Sequence, residues 1–174
     1  MRVIAGAARR IMLVAPAGLN TRPTADRAKE SLFNILGIKV NGARFLDVFC
    51  GSGAIGIEAL SRGAKAAVFV DSSPSALKAV KENLAKTKLT HAEILEMTAE
   101  KAITRLAAED RQFDIIFLDP PYDSNCLSQT LNHLGQAKIL AENGIIIAET
   151  ESEIDNVNPF DIRVYGRTKF YFFE

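Results

Sequence analysis

The chain has 174 residues, 48% hydrophobic and 24% charged, which is typical of one globular domain and unlike a disordered, collagen-like or coiled-coil chain. Its 21 basic and 21 acidic residues cancel to a formal net charge of zero. The two cysteines lie far apart, which excludes a disulfide scaffold and a cysteine zinc site, and no apolar run approaches the roughly 20 residues that span a bilayer. We therefore expect a cytoplasmic protein, monomeric at this size and without a metal site.

The zero net charge hides an uneven distribution. Residues 1–44 carry a net charge of +6, and the rest of the chain carries −6. A basic segment on an acidic body favours an anionic partner such as nucleic acid, although a solvated surface would give the same pattern. The candidate phosphate contacts are the arginines of this segment: Arg2, Arg9, Arg10, Arg22 and Arg27.

The first elements differ from the rest of the chain. Apolar residues at 3–4 and 11–14 flank a basic loop and predict two short strands, so residues 1–20 would form a small N-terminal β-hairpin extension. A helix is predicted to start at Thr24, which would cap it. Its buried face would consist of four apolar residues at helical spacing: Ala28, Leu32, Ile35 and Leu36.

From residue 44 the chain alternates between predicted strands and helices. The predicted strands are 44–49, 66–70, 93–97, 113–118 and 144–149, and the predicted helices are 54–62, 74–86, 99–108 and 127–134. This alternation predicts an α/β fold with a parallel sheet and helices on both faces. Gly166 separates two last strands, 162–165 and 168–173, which predicts a C-terminal antiparallel hairpin with its phenylalanines in an edge-strand core. Residues 21–174 would form one domain.

A glycine-rich turn follows the strand at 44–49. Gly51, Gly53 and Gly56 have the G-x-G-x-x-G spacing between a strand and a helix, which lets the backbone turn sharply and approach a ligand. Asp71 ends the next strand, 20 residues after Gly51, where an acid suits a pair of ribose hydroxyls. The pattern predicts a nucleotide-like cofactor rather than a merely structural turn.

The choice of cofactor depends on Asp47, four residues before Gly51. A carboxylate at this strand end would repel the pyrophosphate of a dinucleotide, whereas it suits a cationic ammonium group. S-adenosylmethionine carries such a group, and it also carries an adenosine ribose for Asp71. The sequence therefore favours S-adenosylmethionine over NAD.

A second motif, Asp119-Pro120-Pro121-Tyr122, directly follows the apolar strand at 113–118. In an open parallel sheet this loop lies at the same edge as the glycine turn. The prolines remove two N–H donors, which leaves the Asp119 carboxylate and the Pro120 carbonyl as acceptors for an amino group, and Tyr122 offers a face on which a base stacks. This run predicts a catalytic loop rather than an ordinary proline turn.

These motifs resemble those of a known family. The run 119–122 is the signature of amino-group methyltransferases acting on adenine or guanine, and residues 45–56 look like their cofactor motif. The stretches 1–6, 21–34 and 165–168 resemble the RsmD family of bacterial 16S ribosomal RNA guanine-N2 methyltransferases. The resemblance covers essentially the whole chain.

The resemblance implies a Rossmann-like class I methyltransferase fold with a mostly parallel seven-stranded sheet. It implies S-adenosylmethionine as donor and the guanine at position 966 of 16S rRNA, in the small ribosomal subunit, as target. Direct methyl transfer would use Asp119, Pro120, Pro121 and Tyr122. The expected cofactor-binding residues are Asp47, Gly51, Ser52, Gly53, Asp71, Ser72, Thr98, Ala99 and Asp119. The expected RNA contacts are Arg2, Arg9, Arg10, Arg22, Thr24, Arg27 and Tyr122.

Two departures from the family pattern and several alternatives accompany this interpretation. Thr98 stands where family members usually carry an acid near the adenine, and the N-terminal loop is rich in alanine, with Arg9 and Arg10 as its only charges. The alternatives are a DNA adenine-N6 methyltransferase, a methyltransferase for another RNA, an NAD-dependent oxidoreductase and a non-catalytic RNA-binding module. The oxidoreductase does not explain Asp47, and a DNA enzyme would need a target-recognition region for which this length leaves little room.

Overall fold

The structure is a computed structural model that describes residues 1–16, 23–121, 124–154 and 157–174, with the backbone alone at 23–25 and 124–125. The strands are β1 (Arg44–Val48), β2 (Ala66–Asp71), β3 (Ala92–Glu96), β4 (Phe113–Leu118), β5 (Leu140–Thr150), β6 (Asp161–Tyr165) and β7 (Thr168–Phe173). The α-helices are α1 (Pro23–Leu36), α2 (Ala54–Ser61), α3 (Pro74–Thr87), α4 (Ala99–Ala108) and α5 (Ser124–Ala137), and a short 3₁₀ turn covers Gly37–Val40.

The seven strands form one sheet in the order β3-β2-β1-β4-β5-β7-β6. Strands β1 to β5 are parallel, and β7 is antiparallel to both of its neighbours. Because β1 to β5 have near-continuous apolar sequences, both faces of the sheet can be covered by helices. One core lies between the sheet and α1, α2 and α3, and a second lies between the sheet and α4 and α5. The predicted α/β fold is confirmed.

The strand order reverses between β1 and β4, which lie side by side although three helices and two strands separate them in sequence. In open α/β sheets such a switch point opens a crevice at the carboxyl ends of the strands. The loops that follow β1 and β4 therefore meet here, and the Asp119 N–H donates to the Val48 carbonyl at 3.4 Å. The sheet thus brings the two predicted motifs together.

The N-terminal extension is a small hairpin with one antiparallel bridge, between Arg2 and Met12. Val3, Ala8 and Leu13 are buried in the first core, so this segment packs on the helices rather than standing apart. We call residues 1–16 the arm. The division of the chain into residues 1–20 and 21–174 stays a prediction.

Two expectations for α1 are wrong. The helix begins at Pro23, so Thr24 lies in its first turn and not at the cap; proline suits the first helical position because no N–H is needed there. Ile35 is 40% exposed, whereas Phe33 is 1% exposed. The larger Phe33 side chain is buried instead of Ile35, so the buried face of α1 is rotated relative to the predicted one.

The C-terminal hairpin is confirmed, but its last strand is not at the edge. Strand β7 lies between β5 and β6, so Phe170 and Phe172 are fully enclosed, and β6 forms the edge with Ile162 and Val164 exposed. Within the described ranges, no helix has both the length and the hydropathy to cross a bilayer.

Candidate active site

The glycines of the turn after β1 have two different environments: Gly53 and Gly56 pack against protein atoms, and Gly51 borders open space. A Cβ on Gly53 would lie 3.1 Å from Val80 Cγ2, and a Cβ on Gly56 would collide with the Phe69 ring. These two glycines let α2 approach the sheet. A Cβ on Gly51 would meet no protein atom within 4 Å, although the residue has a left-handed φ of +53°. The space beside Gly51 is therefore available to a ligand.

Asp71 and Asp47 lie beneath this turn and have different environments. Asp71 is half-buried, with Oδ2 accepting from the Gly51 N–H at 2.9 Å and Oδ1 accepting from the Ser73 N–H at 2.8 Å. Asp47 is 1% exposed, and its Oδ2 accepts from the Gly56 N–H at 2.9 Å. Burial raises the pKa of Asp47 well above its ordinary value, and the charges of Asp119 and Asp71 raise it further. A cation beside Asp47 would relieve this unfavourable charge.

The remaining expected cofactor residues also lie at this edge of the sheet. Ser52 is half-buried in the glycine turn, and Ser72 is exposed directly after β2. Thr98 is exposed and caps α4, where its Oγ1 accepts from the Lys101 N–H at 3.4 Å. Ala99 begins that helix. Their cofactor contacts stay predictions.

Asn83 is a buried amide that the sequence analysis missed. Its Nδ2 donates to the Ser52 carbonyl at 2.9 Å and to the Val14 carbonyl at 3.0 Å, and its Oδ1 accepts from the Val14 N–H at 2.8 Å. The side chain is fully enclosed. It therefore fastens the arm to the glycine turn, and in sequence it is only one more polar residue on α3.

The loop after β4 leaves its acidic side chain accessible. Asp119 is exposed at the mouth of the crevice, Pro120 is half-buried and Pro121 is exposed, whereas Tyr122 lies outside the described residues. The protein atoms that line the crevice reduce the solvation of Asp119 and raise the pKa of its carboxyl to about 7. Neighbouring groups with raised pKa values in a crevice mark functional sites in many enzymes.

Glu149, near the end of β5, is a second residue that the sequence analysis missed. It is half-buried, and in the parallel pairing of β4 with β5 it follows Ala148, the partner of Leu118. Burial, together with the charges of Asp119 and Asp47, raises the pKa of Glu149 to about 8. The rule that selected Asp71 and Asp119, an acid at the carboxyl end of an apolar strand, would have found it.

The arginines of the arm gather on one side. Arg2, Arg9 and Arg10 line a shallow depression together with Glu30. Arg9, Arg10 and Arg27 are exposed, and no ion pair occupies them within the described chain. The Arg2 N–H donates to Asp26 Oδ1 at 3.3 Å. Arg22 and the Thr24 side chain, which are also expected RNA contacts, lie outside the described residues.

Lys29 contributes to the basic count of residues 1–44, but it is not available to a ligand. Its ammonium is buried, lies 3.1 Å from Glu58 Oε2 and donates to the Arg2 carbonyl at 2.6 Å. Burial lowers the pKa of Lys29, and Glu58 opposes that effect. The positive surface is therefore smaller than the sequence suggests.

The chain is similar to several known proteins over most of its length. The family described as Conserved hypothetical protein 95 matches residues 1–174, which include both loops of the site. A Bacillus subtilis (strain 168) protein described as an rRNA methyltransferase, YlbH, is 44% identical over 156 residues, covering 89% of this chain and 85% of that protein. The Ribosomal RNA small subunit methyltransferase D of Escherichia coli (strain K12) is 36% identical over 153 residues, covering 88% of this chain and 76% of that protein. The solved structure of the methyltransferase yhhF from Escherichia coli matches with a TM-score of 0.84 at 32% identity, covering 99% of this chain and 96% of that one.

Proposed function

This chain belongs to the family of ribosomal RNA small subunit methyltransferases D, the RsmD family, and we propose that it methylates N2 of a guanine in 16S rRNA, at position 966 as in the family it resembles. It is a methyltransferase by this similarity, and we propose S-adenosylmethionine as its methyl donor, as the motifs predict. The observation that carries the proposal is the position of Asp119: an accessible carboxylate beside the glycine turn, followed by two prolines.

The crevice fits S-adenosylmethionine. The space beside Gly51 admits a ligand, and Asp71 keeps further lone pairs for ribose hydroxyls because each carboxylate oxygen accepts more than one hydrogen bond. Asp47 supplies negative charge for the ammonium of the methionine part. Six other residues complete the proposed donor site: Ser52, Gly53, Ser72, Thr98, Ala99 and Asp119. When bound, the donor supplies an electrophilic methyl group on a sulfonium that leaves as a neutral thioether.

The Asp119 loop orients the acceptor nitrogen. The N2 amino group of guanine is a weak nucleophile because its lone pair is delocalised into the ring. The Asp119 carboxylate and the Pro120 carbonyl accept its two hydrogens and stabilise the positive charge that develops on nitrogen, so the gain lies in positioning and electrostatics. Asp119 then takes the proton that the nitrogen loses once the new N–C bond has replaced the S–C bond. Pro121 keeps the loop rigid.

The RNA-binding part of the proposal concerns the arm and α1. Arg2, Arg9, Arg10, Arg22, Thr24 and Arg27 are the proposed contacts to the RNA backbone. A base in folded RNA must leave its stack to reach Asp119, and Tyr122 would hold it there. We propose that residues 1–20 act as an RNA-binding extension of the domain at 21–174, and that the protein works as a monomer in the cytoplasm on the small ribosomal subunit.

The other functions are not favoured. The curated relatives are named as ribosomal RNA methyltransferases, which disfavours a DNA adenine-N6 methyltransferase. An NAD-dependent oxidoreductase is disfavoured as well, because Asp47 lies beneath the glycine turn, where a pyrophosphate would meet its negative charge.

The test uses small ribosomal subunits that lack their native methyl groups. The wild-type protein, supplied with S-adenosylmethionine labelled in its methyl group, is expected to label N2 of one guanine. Asp119→Asn removes the negative charge that stabilises the developing charge on N2 and the group that takes its proton, so the rate should fall about 100- to 1000-fold. Asp110→Asn, an exposed acid in the loop before β4, is the matched control. Labelling of DNA, or of no guanine in the subunit, would make the substrate assignment wrong.

A further inference from the structure

We infer that Glu149 recognises the N1–H of the target guanine, so that two neighbouring carboxylates, Asp119 for N2–H and Glu149 for N1–H, select guanine. The inference rests on the proposed function and deepens it: the first site chooses the reacting nitrogen, and the second chooses the base.

The sheet register places the two carboxylates next to each other. Leu118 pairs with Ala148 across β4 and β5, so Asp119 and Glu149 are the next residues on adjacent strands. Parallel strands lie about 4.8 Å apart. Leu118 and Ala148 both face the second core, and side chains alternate along a strand, so Asp119 and Glu149 both project to the opposite face. That is also the face on which the arm and α1 pack.

The four acids at this edge of the sheet form two groups, which differ in whether the protein donates hydrogen bonds to them. Asp47 and Asp71 accept from backbone N–H groups of the glycine turn and the loop after β2. Asp119 and Glu149 accept from no donor in the described part of the chain, and no described cation pairs with them. The raised pKa values of both carboxyls agree with this absence of donors. A ligand that brings N–H groups would supply what the protein leaves out.

Guanine is the standard base that presents two adjacent donor positions, N1–H and N2–H₂, on its Watson–Crick edge. Adenine also has an exocyclic amino group that Asp119 and the Pro120 carbonyl could hold, but its N1 is an acceptor and would face the lone pairs of Glu149. Uracil and cytosine each have one donor position on that edge. Ionised carboxylates are acceptors only, so Asp119 and Glu149 in their ionised forms match guanine alone among the four bases.

The discriminating substrate is 2,6-diaminopurine at the target position of an RNA in which guanine is methylated. This base keeps the 2-amino group, but its N1 is an acceptor. Because a protonated Glu149 carboxyl could donate to N1, the assay is run as a pH series that extends well above pH 8, and the preference is measured where it levels off. The wild-type protein should favour guanine by at least about 100-fold in kcat/KM, because buried polar groups reject an analogue that lacks the matching N–H.

Glu149→Gln should reduce that preference at least about tenfold, because its amide can donate to N1 of diaminopurine and still accept from N1–H of guanine. Glu142→Gln, which changes an exposed acid near the start of β5, should leave the preference unchanged. A residue that only supports the fold would change both substrates by one factor and leave the ratio intact.

The outcomes separate the inference from the function that it rests on. Equal use of the two bases by the wild-type protein overturns the inference without any variant, and so does an unchanged ratio in Glu149→Gln. The absence of transfer to the guanine RNA by the wild-type protein overturns the proposed function, and the inference with it. A reduced preference in Glu149→Gln, with affinity for S-adenosylmethionine retained, supports the inference.

Discussion

Carboxylates have opposite surroundings at the base of the arm, where Glu58 contacts residues 4 and 5, and at the acidic edge of the sheet, which Asp119 and Glu149 form. Glu58 on α2 is fully enclosed and accepts from four donors: two backbone N–H groups of the arm, a lysine and an arginine. Asp119 and Glu149 accept from none within the described chain. A carboxylate that holds the fold together has all its partners inside the protein, whereas a carboxylate that serves a substrate is left without them.

The comparison also separates two kinds of positive charge. The Lys29 ammonium and the Arg62 guanidinium are committed to Glu58, at 3.1 and 2.8 Å. Arg9 and Arg10, which lie on the arm itself, are exposed to solvent. The enclosed pairs therefore fix the path of the arm, and the free arginines remain available for RNA phosphates.

Removal of Glu58 tests the carboxylate whose hydrogen-bond partners all lie inside the protein, and it should have the largest effect of the proposed substitutions. Glu58→Ala leaves the buried Lys29 unpaired and the N–H groups of Ile4 and Ala5 without an acceptor, so we expect a loss of about 3–5 kcal/mol in the free energy of unfolding. Urea denaturation measures the loss. The matched control is Glu82→Ala, which removes an exposed pair with Lys86 and should cost less than about 1 kcal/mol. Similar losses in the two variants would show that Glu58 is not a structural anchor.

The acidic edge was largely predictable because its chemistry follows directly from strand ends. An apolar run predicts a strand, its last residue lies at the carboxyl edge, and any acid or glycine there belongs to the crevice. Asp47, Asp71 and Asp119 were found in this way. Glu149 obeys the same rule, but no motif such as the prolines after Asp119 flanks it, so the sequence pattern alone does not single it out.

The anchoring of the arm could not be predicted because its partners are distant in sequence and partly backbone. Glu58 stands on a short helix, where an acid normally faces solvent, and its acceptor role depends on the N–H groups of residues 4 and 5. Asn83 likewise bonds to both Val14 and Ser52. These three residues lie in separate segments of the chain, and no sequence periodicity relates them. Such contacts depend on tertiary packing, which local patterns do not encode.

A substitution at Gly51 tests the crevice at the acidic edge, and its expected effect is smaller. Gly51→Ala places a methyl group where the protein has no atom within 4 Å, so it should remove space from the donor and reduce the affinity for S-adenosylmethionine at least about tenfold, or about 1.4 kcal/mol. Gly42→Ala is a matched control, since Gly42 also has a left-handed φ and open surroundings, but it precedes β1 and lies away from the crevice. Both variants should lose similar thermal stability from the strained φ. Calorimetric titration decides: equal affinities in the two variants would exclude donor binding at Gly51.

The smallest expected effect is the pH dependence of folding that the unpartnered carboxylates cause. In the unfolded chain both groups titrate near pH 4, whereas the folded values are about 7 for Asp119 and about 8 for Glu149. Between these limits the folded protein binds more protons than the unfolded chain. The contribution of both carboxyls to stability is therefore complete below pH 4 and is lost as the pH rises through 7 and 8.

Because Asp119 is accessible to solvent, its share of this loss is only about 1 kcal/mol. Asp119→Asn removes the titrating group, so its free energy of unfolding should rise relative to the wild-type value between about pH 4 and 7 and then level off. The same difference for Asp110→Asn should stay flat. A flat difference for Asp119→Asn as well would mean that donors inside the protein already satisfy its carboxylate, and the distinction between the two regions would fail at the residue on which the proposed chemistry depends.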